Sequence, residues 1–512
     1  MTTTLHGMLA DLAREYGNRP ALTLGDRTVT FAELESNALD VARSLVGSGA
    51  RPGDRIVVLD KNSIEYYELI FGASAAGVVA VGLNFRLSPT EAAAIVADAR
   101  PALIVADPEF APIVAGVDVT VLLLGADYEA WRSAGRGAVA LPHVDVDDVV
   151  LQMYSSGTTG EPKGAMLTHR NLSFTPRMGR EFYGTSADSV NLLTSPLFHI
   201  GGTGYSLTTL GQGGHTVLAR DFVVGDILAA IERHRVTNMF LVPTMIDMLV
   251  EGATAGDYDL SSLRLIAYGG AAITQHQLLR AIEAIRCDVM AVYGMTEAAG
   301  SVACLLPADH DPEGPRAHLL GSIGTSLPWH ELTVRDIDTG LPCAPGEVGE
   351  LCLRSEQTMA GYWGRPELTA ATIDAEGWLH TGDAALVDEN GFFFLKDRIK
   401  DMIITGGENV YPIEVESVLI THPAVREVAV IGVPHAKWGE TVKAIIIAEP
   451  GISSTEAELI AYCRERLAHY KCPTSVDVVE SFPRNASGKL LKRTMRERYV
   501  VVDEPALAAS AP

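Results

Sequence analysis

Residues 154–164 read Tyr154-Ser155-Ser156-Gly157-Thr158-Thr159-Gly160-Glu161-Pro162-Lys163-Gly164 and follow an apolar stretch, Val149–Met153. Six consecutive small or hydroxylated residues, Ser155 to Gly160, make a loop rich in backbone N–H and hydroxyl donors. Phosphate oxygens need such donors, and glycine lets the backbone come close to them. Lys163 adds a point charge. The segment is not a Walker A loop, which places GK[ST] at the start of a helix. Here Pro162 precedes the lysine, Gly164 follows it, and the strand-like Ala165-Met166-Leu167 comes next.

The elements that must position this loop can be read from the rest of the chain. Its 512 residues are 47% hydrophobic and 20% charged, a globular balance with room for about three domain-sized units. The 40 basic and 64 acidic residues give a formal net charge of -24. That excludes nucleic acid as the main partner and requires a local site to draw in any anionic substrate. Apolar strand candidates at 54–59, 102–106, 119–124, 149–153, 216–218 and 263–267 alternate with helical patterns, which argues for layered parallel α/β structure. The apolar run 69–83 is too short and too glycine-rich to span a membrane and reads as a buried helix passing into a strand. Shorter strands follow at 348–353 and 391–395. Lys396-Asp397-Arg398-Ile399-Lys400-Asp401 places five charges in six positions, as an exposed linker would. Beyond it, strands at 427–433 and 442–447 and a helix carrying Leu459, Ile460, Cys463 and Leu467 form a compact α+β pattern, with Ser453-Ser454-Thr455-Glu456 as its capping box. The expected division is therefore an N-terminal domain over 1–396, a linker over 397–401 and a C-terminal domain over 402–512. The six cysteines form no CxxC pair and the N-terminus lacks a secretory pattern, so a reduced, cytoplasmic protein with no transmembrane segment is expected.

Further motifs occur in order: Ser195-Pro196-Leu197-Phe198-His199-Ile200-Gly201-Gly202, Tyr268-Gly269-Gly270-Ala271-Ala272, Tyr293-Gly294-Met295-Thr296-Glu297, Trp378-Leu379-His380-Thr381-Gly382-Asp383, Ile404-Thr405-Gly406-Gly407-Glu408-Asn409 and Pro483-Arg484-Asn485-Ala486-Ser487-Gly488-Lys489. Together with the loop, this ordered set resembles the adenylate-forming superfamily of acyl-CoA synthetases, peptide-synthetase adenylation domains and luciferases. The resemblance covers about residues 150–490, and the N-terminal part is also similar. It implies an α/β fold: a large multi-subdomain N-terminal domain of layered sheets and helices, plus a small mobile α+β C-terminal domain that carries the catalytic lysine.

The same resemblance implies roles. Ser155, Ser156, Gly157, Thr158, Thr159, Gly160 and Lys163 would hold ATP phosphates. Gly269, Gly270 and Ala271 would lie against adenine, with Tyr293 stacked on it beside Gly294. Thr296 would reach the α-phosphate, and Glu297 would offer a hard oxygen to Mg2+. Asp383 would accept both ribose hydroxyls, with Arg398 as a second contact. His199, Gly202, Gly269 and Ala298 would border the acid pocket, His199 as its gate. Lys400 would be the hinge, and Lys489 the catalytic lysine that also binds ATP. Gly406, Gly407, Glu408, Trp438 and Lys471 would line the path of CoA.

The activity so implied is ATP-dependent acid–CoA ligation. A carboxylic acid, expected to be a medium- or long-chain fatty acid, is activated as acyl-AMP with release of pyrophosphate, and CoA then takes the acyl group. Two alternatives stay open: an aromatic-acid–CoA ligase, and a stand-alone adenylating enzyme that passes the acyl group to a carrier protein or another acceptor. Pro162 and the strand after Gly164 argue against a P-loop ATPase or kinase. The expected partners are small molecules (the acid, ATP and CoA) and no nucleic acid; a homodimer is compatible with the sequence.

Overall fold

The computed structural model describes every residue except 1–2, 138, 157–161, 272, 274, 436, 485–489 and 500–512, and the side chains of 155, 156 and 276 are also left out. The chain divides into two compact units. The first gathers Met1–Thr333, Cys352–His380 and Asn390–Phe393; the second gathers Val334–Leu351, Thr381–Glu389 and Phe394–Pro512.

Two sheets build the first unit. The nine-stranded sheet runs in the order Thr325–Ser326, Gly300–Leu305, Asp288–Met295, Leu265–Gly269, Asn238–Leu241, Val190–Leu193, His215–Leu218, Pro20–Leu24, Arg27–Thr30. Its six middle strands pair in parallel, from Asp288–Met295 to Pro20–Leu24. Parallel neighbours need crossover connections, and the helices Ile200–Leu210, Val224–His234, Pro243–Ala255 and Gln275–Ile285 supply them. The seven-stranded sheet runs Gly361–Tyr362, Pro162–Thr168, Val149–Ser156, Val79–Gly82, Arg55–Leu59, Leu103–Ala106, Val121–Leu123. Only its first two strands are antiparallel to their neighbours. Each strand expected in this unit is present, shifted by a residue or two or extended. The run 69–83 forms the end of helix Ile64–Ala76, a left-handed cap at Gly77 and strand Val79–Gly82. That helix is buried from Tyr66 to Ala76 on every face, so its sequence carries no amphipathic period.

The second unit holds a five-stranded C-terminal sheet and parts of a four-stranded sheet, ordered Glu331–Arg335, Gly349–Arg354, Leu379–Val387, Phe393–Arg398. In the five-stranded sheet, Gly439–Ala448 pairs antiparallel with Val425–His435 and parallel with Ser475–Val478. The capping box falls two residues later than expected: Thr455 caps helix Glu456–Arg464, and Glu458 reaches back to it. Of several hydroxyls in a row, the one that caps is the one whose helix then buries Leu459 and Cys463. Leu467 lies past the helix end yet packs on the same core.

One buried ion pair fixes the helical layer of the first unit. Glu68 is fully buried, and both its oxygens accept from Arg132 Nη1, at 2.7 and 2.8 Å. Tyr128 and Asn37 each donate a further hydrogen bond at 2.8 Å. Glu68→Ala removes the buried partner of Arg132 and leaves it only its pairing with Glu129; the expected loss is about 3 kcal/mol by chemical denaturation.

Several histidines are buried uncharged. Burial lowers His169 to about 3, and lowers His215 and His330 to about 4. An unfolded histidine titrates near 6.5, so these groups contribute stability that is fully present above that pH and is lost as pH falls toward 4. His215 accepts or donates at 2.8 Å to Thr23 Oγ1, a role that glutamine can fill. The denaturant midpoint of the native chain is expected to drop between pH 7 and pH 5, and to drop less in His215→Gln.

Candidate active site

In the first unit, candidate residues collect at strand ends and in the turns that follow them. This is where open α/β sheets leave crevices for ligands. The phosphate-loop candidate joins Val149–Ser156 to Pro162–Thr168, and Ser155 and Ser156 pair in register with Lys163 and Pro162. The flanking strands therefore pair antiparallel, and the strand expected after Gly164 is present. Gly157, Thr158, Thr159 and Gly160 lie outside the described residues.

Tyr293, Gly294 and Thr296 sit where strand Asp288–Met295 turns into Gly300–Leu305. The register slips between Tyr293 and Gly294, a bulge that redirects side chains at the strand end. Residues Thr296–Ala298 form a single 3-10 turn, and Ala299 takes a left-handed conformation at φ 51°. Glu297 at this turn is buried, only 8% exposed. Its Oε1 accepts from the Tyr362 hydroxyl at 2.8 Å, and its backbone carbonyl accepts from Met359 N–H at 2.8 Å. Oε2 has no hydrogen-bond partner among the described residues, which leaves a hard anionic donor of the kind Mg2+ takes. The face of the Tyr362 ring lies 4.9 Å from Lys163 Nζ. One tyrosine thus joins the lysine of the phosphate loop to the carboxylate of the turn.

Gly269 ends strand Leu265–Gly269, and Gly270 and Ala271 follow it. A Cβ at Gly269 would lie 2.2 Å from the Val292 carbonyl, and one at Gly202 would lie 2.1 Å from the Pro196 carbonyl. These two glycines are demanded first by backbone packing, and a pocket left beside them is a consequence. Ala298 is fully buried, and its carbonyl accepts from Gln357 Nε2 at 2.9 Å.

His199 precedes helix Ile200–Leu210 without capping it. Burial, then the nearby Arg86 charge, lowers its pKa to about 4, so the ring is neutral at physiological pH. Its Nε2 is buried and finds no hydrogen-bond partner among the described residues. The helix behind it carries Tyr205, whose ring lies 5.5 Å from Tyr183 and 5.6 Å from Phe240. Asn62 holds the turn in front of His199: its amide donates to the Ser195 and Ala219 carbonyls at 3.1 and 3.0 Å and accepts from Leu197 N–H at 3.0 Å.

Asn62, Gln357 and Tyr362 are absent from the sequence-based candidates. Each has a partner between 59 and 157 residues away, so no local spacing marks it. The motif-like Met359-Ala360-Gly361-Tyr362 was the one available signal.

The remaining candidates lie in the second unit. Asp383 is 7% exposed and pairs with Arg398 Nε at 2.7 Å. Arg398 Nη1 also donates to the Thr381 carbonyl at 3.1 Å. Lys400 is exposed in the 3-10 turn Ile399–Asp401. On either side of it, Asp397 lies 3.9 Å from the Lys492 amine and accepts from Ile413 N–H at 3.0 Å, while Asp401 pairs with Arg496 at 3.0 Å. Gly406 N–H donates to the Trp438 carbonyl at 2.9 Å, and a Cβ there would lie 2.7 Å from the indole. Gly407 and Glu408 are exposed beside them, and Trp438 is half-exposed. Lys471 pairs with Glu414 at 2.6 Å, and this hydrogen bond raises its pKa. Lys489 lies outside the described residues.

Residues 9–363 match the family model for the AMP-binding enzyme, and residues 414–489 match that for the AMP-binding enzyme C-terminal domain. The chain is 40% identical to a feruloyl-CoA synthase of Amycolatopsis sp, over 95% of this chain and 97% of that one. It is 36% identical to the fatty acid–[acyl-carrier-protein] ligase ScoC of Streptomyces coeruleorubidus, over 97% and 96%. Among solved structures, ATP-bound MatB from Rhodopseudomonas palustris superposes with a TM-score of 0.87 at 30% identity, covering 97% of this chain and 99% of that one. The o-succinylbenzoate CoA synthetase MenE of Bacillus subtilis, in complex with its acyl-adenylate intermediate, gives a TM-score of 0.85 at 32% identity, covering 96% and 98%. Among the described residues no helix is long and apolar enough to cross a membrane. The hairpin loop, the buried carboxylate beside its lysine and matches along both units lead to one conclusion: the chain belongs to the AMP-binding enzyme family of the adenylate-forming superfamily, as an AMP-forming acid–thiol ligase of the acyl-CoA synthetase type.

Proposed function

We propose that the chain activates an apolar carboxylic acid as its acyl adenylate and transfers the acyl group to CoA. The observation that carries the first half is the approach of Lys163 and Glu297 to opposite parts of one buried tyrosine, at the base of a hydroxyl-rich loop. This supports a reading in which Lys163 serves the phosphates and Glu297 a metal ion. Mg2+, when bound, supplies charge neutralisation on the phosphates of ATP; Glu297 Oε2 is the atom that would hold it. The work of the chain is positioning and charge: the loop donors and Lys163 hold the triphosphate, Thr296 faces the α-phosphate, and Asp383 takes the ribose hydroxyls. The acid carboxylate then attacks the α-phosphorus, a new C–O–P bond forms, and pyrophosphate leaves with the electron pair of the broken P–O bond. In the second half the CoA sulfur attacks the acyl carbon, AMP leaves, and the thiol proton passes to solvent or a nearby base.

Neutral His199 suits a gate between the acid and the thiol, since swinging a neutral ring costs little electrostatically. The exposed Gly406-Gly407 turn beside Trp438 supports passage of a thin thiol arm, and the likeness to a feruloyl-CoA synthase favours CoA as its bearer. Lys400, on the exposed turn between the Asp397 and Asp401 anchors, is the hinge of this reading.

For the acid, we take the ring cluster of Tyr183, Tyr205 and Phe240, which includes a residue of the helix that follows His199, to favour an aromatic acid over the medium- or long-chain fatty acid expected from the sequence. The likeness to a feruloyl-CoA synthase supports the same choice, and the likeness to a fatty acid ligase keeps the aliphatic class as the second reading. A scan of acids by pyrophosphate release is expected to give the highest kcat/KM with a hydroxycinnamate or benzoate. A maximum with a saturated fatty acid overturns the aromatic choice, and release with short polar acids alone overturns the apolar pocket.

Lys489→Ala is expected to lose about 100- to 1000-fold in adenylate formation, the cost of one well-placed charge donor. Thioester formation from supplied acyl adenylate is expected to persist. An equal fall in both half-reactions contradicts the assignment of Lys489 to the first step alone.

A further inference from the structure

Glu297 and Lys163 come from different sheets, and neither is held by its own neighbours in sequence. What they share is Tyr362. We propose that Tyr362 is a positioning residue for adenylation: it sets the Glu297 carboxylate for the metal and the Lys163 ammonium for the phosphates, from one rigid ring. This rests on the functional reading above and extends it to a residue outside the sequence motifs considered there.

The hydroxyl of Tyr362 donates to Glu297 Oε1 at 2.8 Å, in a residue only 4% exposed. Water does not compete for that bond, so it fixes the carboxylate rotamer and turns Oε2 away from the phenol. Lys163 Nζ lies 4.9 Å from the ring centroid, within the range where a cation is attracted to the aromatic face. A phenol thus serves two charges of opposite sign with two different parts of its surface, and neither cancels the other by direct pairing.

The ring can do this because its backbone is pinned on both sides. Gly361–Tyr362 pairs antiparallel with Met166 and Ala165, in the strand that returns from the phosphate loop. Tyr362 N–H donates to Thr369 Oγ1 at 2.9 Å. Trp363 N–H donates to the Gly164 carbonyl at 2.8 Å, and its indole N–H donates to the Asp98 carbonyl at 3.0 Å. The Arg55 guanidinium stacks 3.3 Å over that indole. On the other side, Met359 N–H reaches the Glu297 carbonyl, and Asn171 donates to the carbonyls of Glu356 and Thr358 at 2.8 and 2.9 Å. A partner of a metal ligand that is itself held this firmly tunes the metal site, and its loss commonly costs about 10- to 100-fold in metal affinity.

Two substitutions separate the two contacts. Tyr362→Phe keeps the ring face for Lys163 and removes the donor to Glu297; Tyr362→Leu removes both. The probe is Mn2+ in place of Mg2+, titrated into enzyme with ATP and followed by electron paramagnetic resonance, with thioester formation from supplied acyl adenylate measured in parallel. The expected result for Tyr362→Phe is Mn2+ binding weakened by about 10- to 100-fold with the thioester step unchanged. Tyr362→Leu is expected to show the same loss and, in addition, a raised KM for ATP. Native Mn2+ affinity in Tyr362→Phe, even with a lowered Tm, overturns the proposal and leaves the tyrosine a packing residue. An equal loss in both half-reactions overturns it as well. The unmodified enzyme is the control: if it forms no acyl adenylate from any acid, the functional reading fails, a result distinct from a variant that merely matches it.

Discussion

Negative charge is the constraint on which the rest of the structure depends. A chain with a formal charge of -24 has to hold a polyanionic nucleotide and stabilise further charge as pyrophosphate separates. Its overall field opposes this, so attraction has to be local; in the proposed reading it comes from the donors of the segment 155–160, from Lys163 and from the Glu297 carboxylate. Such a cluster works only if its members stay in place when the substrate arrives. Donors that must reorganise spend in rearrangement what they gain in attraction.

The architecture answers that need through one short segment. Residues 356–363 contact the return strand of the phosphate loop, the turn bearing Glu297 and the helical turn at Asn171. Through Met359, Ala360 and Trp363 the segment donates backbone hydrogen bonds to Glu297, Met166 and Gly164. The two large sheets of the first unit are thereby joined through a shared backbone segment, which carries Tyr362 near its C-terminal end. The antiparallel edge strands matter for the same reason. A parallel interior sets the strand ends, while the hairpins at the edges supply turns such as Thr296–Ala298 and the phosphate loop itself.

Much of this was legible in the sequence, for a definite reason. Residue type alone marks the phosphate-loop candidate, and the strand expected after Gly164 is present as part of Pro162–Thr168. Alternating apolar runs mark the parallel strands, and the run ending at Leu83 reads as a helix passing into a strand, between which the structure adds a left-handed cap at Gly77. Illegible were the contacts that need the folded chain. Tyr362 meets Glu297 across 65 residues and Asn62 meets Leu197 across 135, distances at which no periodicity survives. The close approach of the Pro196 and Val292 carbonyls to Gly202 and Gly269 is a contact of the same kind. The capping box was misplaced because three hydroxyls precede the helix, and only packing of Leu459 and Cys463 chooses among them.

The central claim is that this acidic chain makes a mixed anhydride between AMP and a carboxylic acid before any thiol takes part. Exchange of radiolabel from pyrophosphate into ATP tests it most directly. The account predicts exchange that needs both the acid and a divalent cation and proceeds without CoA. Absence of exchange with every acid offered, or exchange that appears only when CoA is added, would contradict it.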